Sequence, residues 1–147
     1  KKLDPVFNEK FRLNYSETEM VDHVKNIKNP IIRECIKFLN IDDRLYISTI
    51  ADVPSSTGLG SSSSFTVGLL NALYDFKNKK VSPARLAEEA AHIEIKILDN
   101  PIGKQDHYVA SFGGLNKIFF FDNDKVKVEK IKIPKCSPSK SKLMKWQ

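Results

Sequence analysis

The stretch that decides the fold is residues 45–76, LYISTIADVPSSTGLGSSSSFTVGLLNALYDF. Its first six residues are rich in β-branched and aromatic side chains, which predicts a strand over residues 45–50. Its last part repeats apolar residues at the spacing of one helical face: Phe65, Leu69, Leu73 and Phe76. Glycine and serine fill the space between the strand and the helix, so the stretch predicts a strand, a tight loop and a helix that begins near Ser61.

The loop has the chemistry of a phosphate cradle. A helix leaves its first backbone N–H groups without partners, and its dipole favours an anion there. Gly58 and Gly60 allow positive φ and close approach of a ligand, and residues 61–64 add four hydroxyls. The alternatives are a serine-rich linker and an ordinary strand-to-helix turn with serine caps. The loop is not a Walker A loop, and it lacks the three-glycine dinucleotide fingerprint.

Working outward from the loop, the remaining patterns predict helices and strands without strict alternation. Alternating apolar residues predict a strand at Phe11–Tyr15, and Ser16–Glu19 has the spacing of a capping box, which favours a helix after it. Pro30 and Ser82-Pro83 mark the starts of two more helices, the second running to about Leu98. Two strands, 115–121 and 125–133, then follow around a turn at 122–124. The order favours an α+β fold, a mostly antiparallel sheet with helices packed on one face.

Composition and charge argue against several classes of protein. The net charge is +6, but residues 125–147 alone carry eight Lys and one Glu, so the other 124 residues sum to −1. A basic excess confined to one end argues against nucleic acid as the main ligand. No apolar run approaches the roughly 20 residues of a membrane span. Cys35 and Cys136 are too few for a disulfide framework or a zinc site, which indicates a reducing, cytoplasmic setting.

A second group of polar residues follows the long helix. Glu94 shares a helix row with small and apolar residues, so its carboxylate needs a cation or backbone donors unless it is simply solvated. Magnesium is a suitable cation, because it prefers oxygen ligands. Asp106, with Lys104 nearby and a glycine pair after it, is either a helix cap or a functional carboxylate.

Pro54, three further residues and then Gly58-Leu59-Gly60-Ser61-Ser62 resemble the central motif of the GHMP kinases, the family of galactokinase, homoserine, mevalonate and phosphomevalonate kinases. The resemblance implies that this loop wraps the phosphates of ATP, through Pro54, Gly58, Leu59, Gly60, Ser61, Ser62 and Ser63. It also implies a magnesium ion held by Ser62 and Glu94.

The segment from Gly103 to the pair Gly113-Gly114 resembles the part of these kinases that carries the acidic catalytic residue. By this resemblance Asp106 accepts or orients the proton of the attacking sugar hydroxyl. Lys104 either stabilises charge on the transferred phosphoryl group or lowers the pKa of Asp106. The family usually has Gln after this Asp, where this chain has His107, which is either a partner or base beside Asp106 or a tolerated polar neighbour.

Within the family, residues 29–133 are similar to the bacterial D-glycero-D-manno-heptose 7-phosphate kinases and their fucokinase-like relatives. The resemblance implies the fold of the family's N-terminal domain, which also occurs in a ribosomal protein domain. Residues 1–133 are then the domain core, without the family's first motif, and residues 134–147 a poorly ordered basic tail.

The implied function is ATP-dependent phosphoryl transfer to a hydroxyl of a sugar or sugar phosphate, with neither nucleic acid nor membrane as partner. The alternative is a non-catalytic nucleotide-binding or interaction module descended from such a kinase. The family's N-terminal and C-terminal motifs are not found, so we expect a fragment whose exposed apolar surface favours self-association, for instance as a homodimer.

Overall fold

The computed structural model describes residues 1–51 and 58–132. Three short strands form a mixed sheet: β1 (Phe11–Asn14), β2 (Thr18–Val21) and β3 (Leu45–Ser48). The strand order is β2-β1-β3, with β1 antiparallel to β2 and parallel to β3. The predicted strands at 11–15 and 45–50 are therefore present, each slightly shorter than expected.

The described residues form four α-helices: α1 (Pro30–Phe38), α2 (Ser61–Phe76), α3 (Pro83–Ala91) and α4 (Gln105–Phe112). The predicted starts of α1 and α3 are confirmed. The side chain of Asn29 accepts the backbone N–H of Ile32, and that of Ser82 accepts the N–H of Arg85. Each proline sits in the first helical turn, where no N–H is needed. Helix α4 was not predicted, because its eight residues carry no clear apolar face.

Helix α3 continues directly into a π-helical segment, His92–Ile97. The N–H of Leu98 donates to the carbonyl of Ile93, five residues earlier, at 2.9 Å. The predicted end of this helix near Leu98 is confirmed, but its last turn is wider than an α-helix. Such π turns are rare and often occur at functional sites.

The core joins one face of β1 to the helices. Phe11 and Leu13 are buried and lie on the same side of the strand. They belong to one cluster with residues of α1, α2 and the π segment, among them Ile36, Leu70 and Ile93. The α+β architecture with helices on one face of a mostly antiparallel set of strands is thereby confirmed.

The chain divides into two compact units, Lys1–Phe112 and a second that begins at Gly113. In the second unit β4 (Asn116–Phe120) pairs antiparallel with β5 (Val126–Lys130). The turn between them is the predicted one. The predicted core, 1–133, spans both units, and the predicted basic tail lies outside the described residues. Among the described residues no helix is both long and apolar enough to cross a membrane.

The prediction of a helix after Ser16–Glu19 is wrong, because this segment forms β2. Glu19 does not cap a helix. Its buried carboxylate accepts the backbone N–H groups of Lys28 at 2.7 Å and Asn29 at 3.2 Å, and the hydroxyl of Tyr15 at 2.8 Å. The two backbone N–H groups come from the turn before α1 and help to hold Glu19 in the extended strand, so hydrogen bonds to distant residues override the local capping signal.

Candidate functional site

The glycine-serine loop meets the N-terminus of α2 as the sequence predicts. Gly58 and Gly60 have φ of 73° and 70°, and helix α2 begins at Ser61. Gly60 is the residue before the first turn, and no side chain caps this end of α2. A helix N-terminus that no side chain caps, with serine hydroxyls in its first turn, favours the binding of an anion.

The serine side chains in the first turn of α2 differ in their exposure to solvent. Ser62 and Ser64 are exposed, whereas Ser63 is buried. Leu59 is also exposed, with 72% of its surface open. Pro54, predicted to be part of the same phosphate-binding loop, lies outside the described residues.

Asp106 lies against this loop although it is 46 positions away in sequence. A Cβ placed on Gly60 would come within 3.0 Å of the Asp106 Cγ and 3.1 Å of its Oδ2. The side chain is exposed and sits in the first turn of α4. The structure therefore brings a solvent-accessible carboxylate directly beside the start of α2, where only a glycine leaves room for it.

Glu94 is the second acidic residue that the structure brings to this region. It lies in the π segment and has no exposed surface. Burial by itself raises the pKa of its carboxyl group, but hydrogen bonding from His107, and then from the hydroxyls of Thr66 and Ser62, outweighs burial and holds the pKa below its usual value. Glu94 is thus an ionised carboxylate, and the Ser62 side chain lies next to it.

The two oxygens of Glu94 are not equivalent. Oε1 is 3.1 Å from Nε2 of His107. Oε2 is buried and has no hydrogen-bond partner of good geometry among the described residues. An orphaned carboxylate oxygen beside a serine hydroxyl fits a hard divalent cation such as magnesium.

The protein supplies few of the ligands that such an ion needs. No group of three or more His, Cys, Asp or Glu side chains able to hold a metal occurs within residues 1–51 and 58–132. A magnesium ion bound by one or two protein oxygens takes its other ligands from water and phosphate, as is usual at nucleotide sites. The donor set of Ser62 and Glu94 therefore fits a metal that arrives with a nucleotide.

Lys104 forms an ion pair with a carboxylate of the preceding helix. Its Nζ lies 3.5 Å from Oε2 of Glu88 on α3, and the hydroxyl of Tyr108 donates to Oε1 of the same carboxylate. Glu88 thus ties the start of α4 to α3. The ring centroid of His92, one turn after Glu88, lies 6.2 Å from that of Phe38.

Sequence reasoning missed three polar contacts at this site. His107 is fully buried against Glu94, neither beside Asp106 as a base nor a mere neighbour. Thr66 and Glu88 were not singled out for the site at all. The only signal was the helical spacing of Ser62 and Thr66, which places them on one face of α2. Nothing local could have placed His107 against a residue 13 positions earlier.

Solved structures of known kinases share this fold. The chain superimposes on a D-glycero-D-manno-heptose 1-phosphate kinase from Bacteroides thetaiotaomicron with a TM-score of 0.77 and 26% identity, over 87% of this chain and 46% of that one. A mevalonate kinase gives a TM-score of 0.65 and 25% identity, over 90% of this chain and 45% of that one.

Relatives found by sequence are also kinases. The chain is 34% identical over 113 residues to the D-glycero-alpha-D-manno-heptose 7-phosphate kinase of Campylobacter jejuni, over 77% of this chain and 32% of that protein. It is 29% identical over 119 residues to the galactokinase of Pyrococcus furiosus, over 81% of this chain and 33% of that protein. The chain thus spans about a third of the length of these curated relatives. Residues 22–114 match the family described as the GHMP kinases N terminal domain, and the chain therefore belongs to the GHMP kinases.

Proposed function

We propose that this chain carries the nucleotide-phosphate site and the catalytic carboxylate of an ATP-dependent kinase that phosphorylates a hydroxyl of a sugar or sugar phosphate. The observation that carries the proposal is the meeting of three distant residues at the start of α2. Asp106 lies against Gly60, and the hydroxyl of Ser62 lies beside the carboxylate of Glu94. Nothing in the local sequence requires these residues to meet.

Each residue has a role that its surroundings support. The backbone N–H groups at the start of α2 and the hydroxyls of Ser61 to Ser63 bind the nucleotide phosphates. Ser62 and Glu94 would hold magnesium, which neutralises phosphate charge when it is bound. These groups position the phosphates and balance charge, which is most of what phosphoryl transfer requires.

Asp106 is the proton acceptor for the attacking hydroxyl. Its carboxylate is exposed, so a substrate can reach it, and it lies next to the helix start that binds the phosphates. Lys104 supports the site by linking α4 to Glu88, and it stays a candidate for stabilising phosphoryl charge.

The sugar class is proposed from the relatives named above, which are heptose phosphate kinases and a galactokinase. A cytoplasmic location and a homodimer remain predictions. Cys35 is buried as a free thiol, in keeping with a reducing compartment.

The proposal is tested by replacing Asp106 and measuring two quantities on the intact protein. Asp106→Asn should lower phosphoryl transfer to a heptose phosphate or galactose by at least about a hundredfold, because general-base assistance contributes roughly 10²–10⁴-fold. Calorimetric affinity for ATP with magnesium should stay within a few-fold, because the phosphate cradle is untouched.

The matched control is Asp75→Asn, at the far end of α2, which should leave both quantities unchanged. Retained turnover in Asp106→Asn would overturn the catalytic assignment. Binding of ATP with magnesium but no transfer to any tested sugar by the unaltered protein would favour the alternative, a non-catalytic nucleotide-binding module. No ATP binding would remove the kinase proposal altogether.

A further inference from the structure

His107 and Glu94 form a fully buried pair that the proposed reaction does not yet use. Both side chains have no exposed surface, and Nε2 of His107 is 3.1 Å from Oε1 of Glu94. His107 belongs to α4 and Glu94 to the π segment, so the contact joins two elements. Burying a carboxylate is costly unless it is hydrogen-bonded, and among the side-chain hydrogen bonds that offset burial of Glu94 the one from His107 is the largest.

The direction of the hydrogen bond is settled by chemistry. An ionised carboxylate only accepts, so Nε2 must donate to Oε1 whether the ring is neutral or protonated. That bond occupies Oε1, whereas Oε2 has no hydrogen-bond partner of good geometry among the described residues, although the hydroxyls of Thr66 and Ser62 lie near the carboxylate. His107 thereby selects which oxygen of Glu94 remains available.

The same ring is one of the buried side chains that anchor α4, together with that of Tyr108. Consecutive residues on an α-helix point about 100° apart. With His107 directed inward onto Glu94, the preceding residue, Asp106, is directed outward, where it packs against Gly60. Loss of the contact between His107 and Glu94 would therefore displace the carboxylate of Asp106.

We propose that His107 is a positioning residue that presents Oε2 of Glu94 for a divalent cation and holds Asp106 against the start of α2. The inference rests on the proposed function, since it concerns the cation and the proton acceptor of that same site. It assigns a purpose to a histidine at the position where the family usually has glutamine, and glutamine can also donate to a carboxylate.

The test compares two replacements of His107 in the intact protein. His107→Gln keeps an N–H donor, whereas His107→Met has similar bulk and no donor. His107→Met should weaken magnesium-dependent ATP binding by roughly ten- to a hundredfold, the usual effect of losing the partner of a metal ligand. ATP binding in EDTA should change by less than about threefold, because the N-terminus of α2 is unaltered. His107→Gln should restore most of the magnesium dependence.

His23→Met is the matched control, since His23 is exposed and lies at the start of a short 3-10 turn. It should leave both affinities unchanged. Equal loss of ATP affinity with and without magnesium in His107→Met would show only a structural role and would overturn the proposal. So would a failure of His107→Gln to restore magnesium dependence when it is as stable to heat as the unaltered protein.

A second measurement covers the case in which His107→Met does not fold. The ring ¹⁵N signals of His107 in the unaltered protein should shift when ATP with magnesium is added, but not when ATP is added in EDTA. Glu94→Gln should abolish that difference. Unchanged ring signals in a protein that binds ATP with magnesium would refute the positioning role alone, whereas absence of any ATP binding would refute the proposed function.

Discussion

Gly60 offers the sharpest test of the site, because the structure provides a matched partner for it. Gly58 and Gly60 both have positive φ, 73° and 70°. Alanine in this conformation costs about 1–2 kcal/mol at either position. A Cβ on Gly58 would meet no heavy atom within 4 Å, whereas a Cβ on Gly60 would lie 3.0 Å from the Asp106 Cγ. The two substitutions share their backbone strain and differ in contact with Asp106.

The size of each effect follows from these distances. Both Gly58→Ala and Gly60→Ala should lower the melting temperature by roughly 3–6 °C in a chain of this length. In Gly60→Ala the Asp106 carboxylate must also retreat by at least about 0.4 Å to reach ordinary contact distance. Displacement of a reacting group by up to 1 Å can cost about a hundredfold in rate, so we expect Gly60→Ala to lower kcat by roughly ten- to a hundredfold more than Gly58→Ala.

The assay is steady-state phosphorylation of the accepted sugar by the intact protein at saturating ATP, with thermal unfolding of each variant measured alongside. Saturating ATP removes differences in nucleotide affinity from the comparison, so kcat reports the placement of Asp106. Equal kcat in the two alanine variants, at similar melting temperatures, would refute the argument that Asp106 works from beside Gly60.

Three further predictions concern the side chains of Ser62, Glu94 and Glu19. Ser62→Ala should weaken magnesium-dependent ATP binding by about tenfold in calorimetry, while Ser64→Ala, its exposed neighbour, should change it little; equal effects would argue against a metal contact. The pKa of Glu94 is lowered on folding, so its stabilising contribution is complete above about pH 4.5 and is lost as the pH falls below that value. Glu94→Gln should flatten the fall in melting temperature between pH 5 and 3, and an unchanged slope would contradict this. Glu19→Ala removes the acceptor of two backbone N–H groups and should cost about 1–3 kcal/mol in denaturant unfolding, whereas Glu17→Ala, with an exposed side chain, should cost less than about 0.5 kcal/mol.

Much of the helical framework was predictable because its signals are local. Asn29 and Ser82 cap their helices through N–H groups three residues away, and each is followed by a proline suited to the first turn. The positive φ of Gly58 and Gly60 and the start of α2 at Ser61 depend on the same short stretch of chain. The sequence motifs also identified the family, which the comparisons confirm.

The prediction that failed, and a contact that was not anticipated, both depended on distant segments of the chain. Ser16–Glu19 has the pattern of a helix start, yet Glu19 is held in β2 by the backbone of residues 28 and 29. The ion pair between Nζ of Lys104 and Oε2 of Glu88 on α3 was likewise not indicated by any local pattern. In each case the position of a charged side chain depends on a partner that is distant in the sequence.

By itself the sequence determined where the glycine-serine loop lies and where α2 begins, because glycine conformations and helix starts depend on neighbouring residues. Only the tertiary structure decided that Glu94 is buried in a π turn, that His107 is its partner and that Asp106 lies against Gly60. Those contacts join residues 13 to 46 positions apart, and their energies depend on burial and on which donors remain unpaired once the helices have packed.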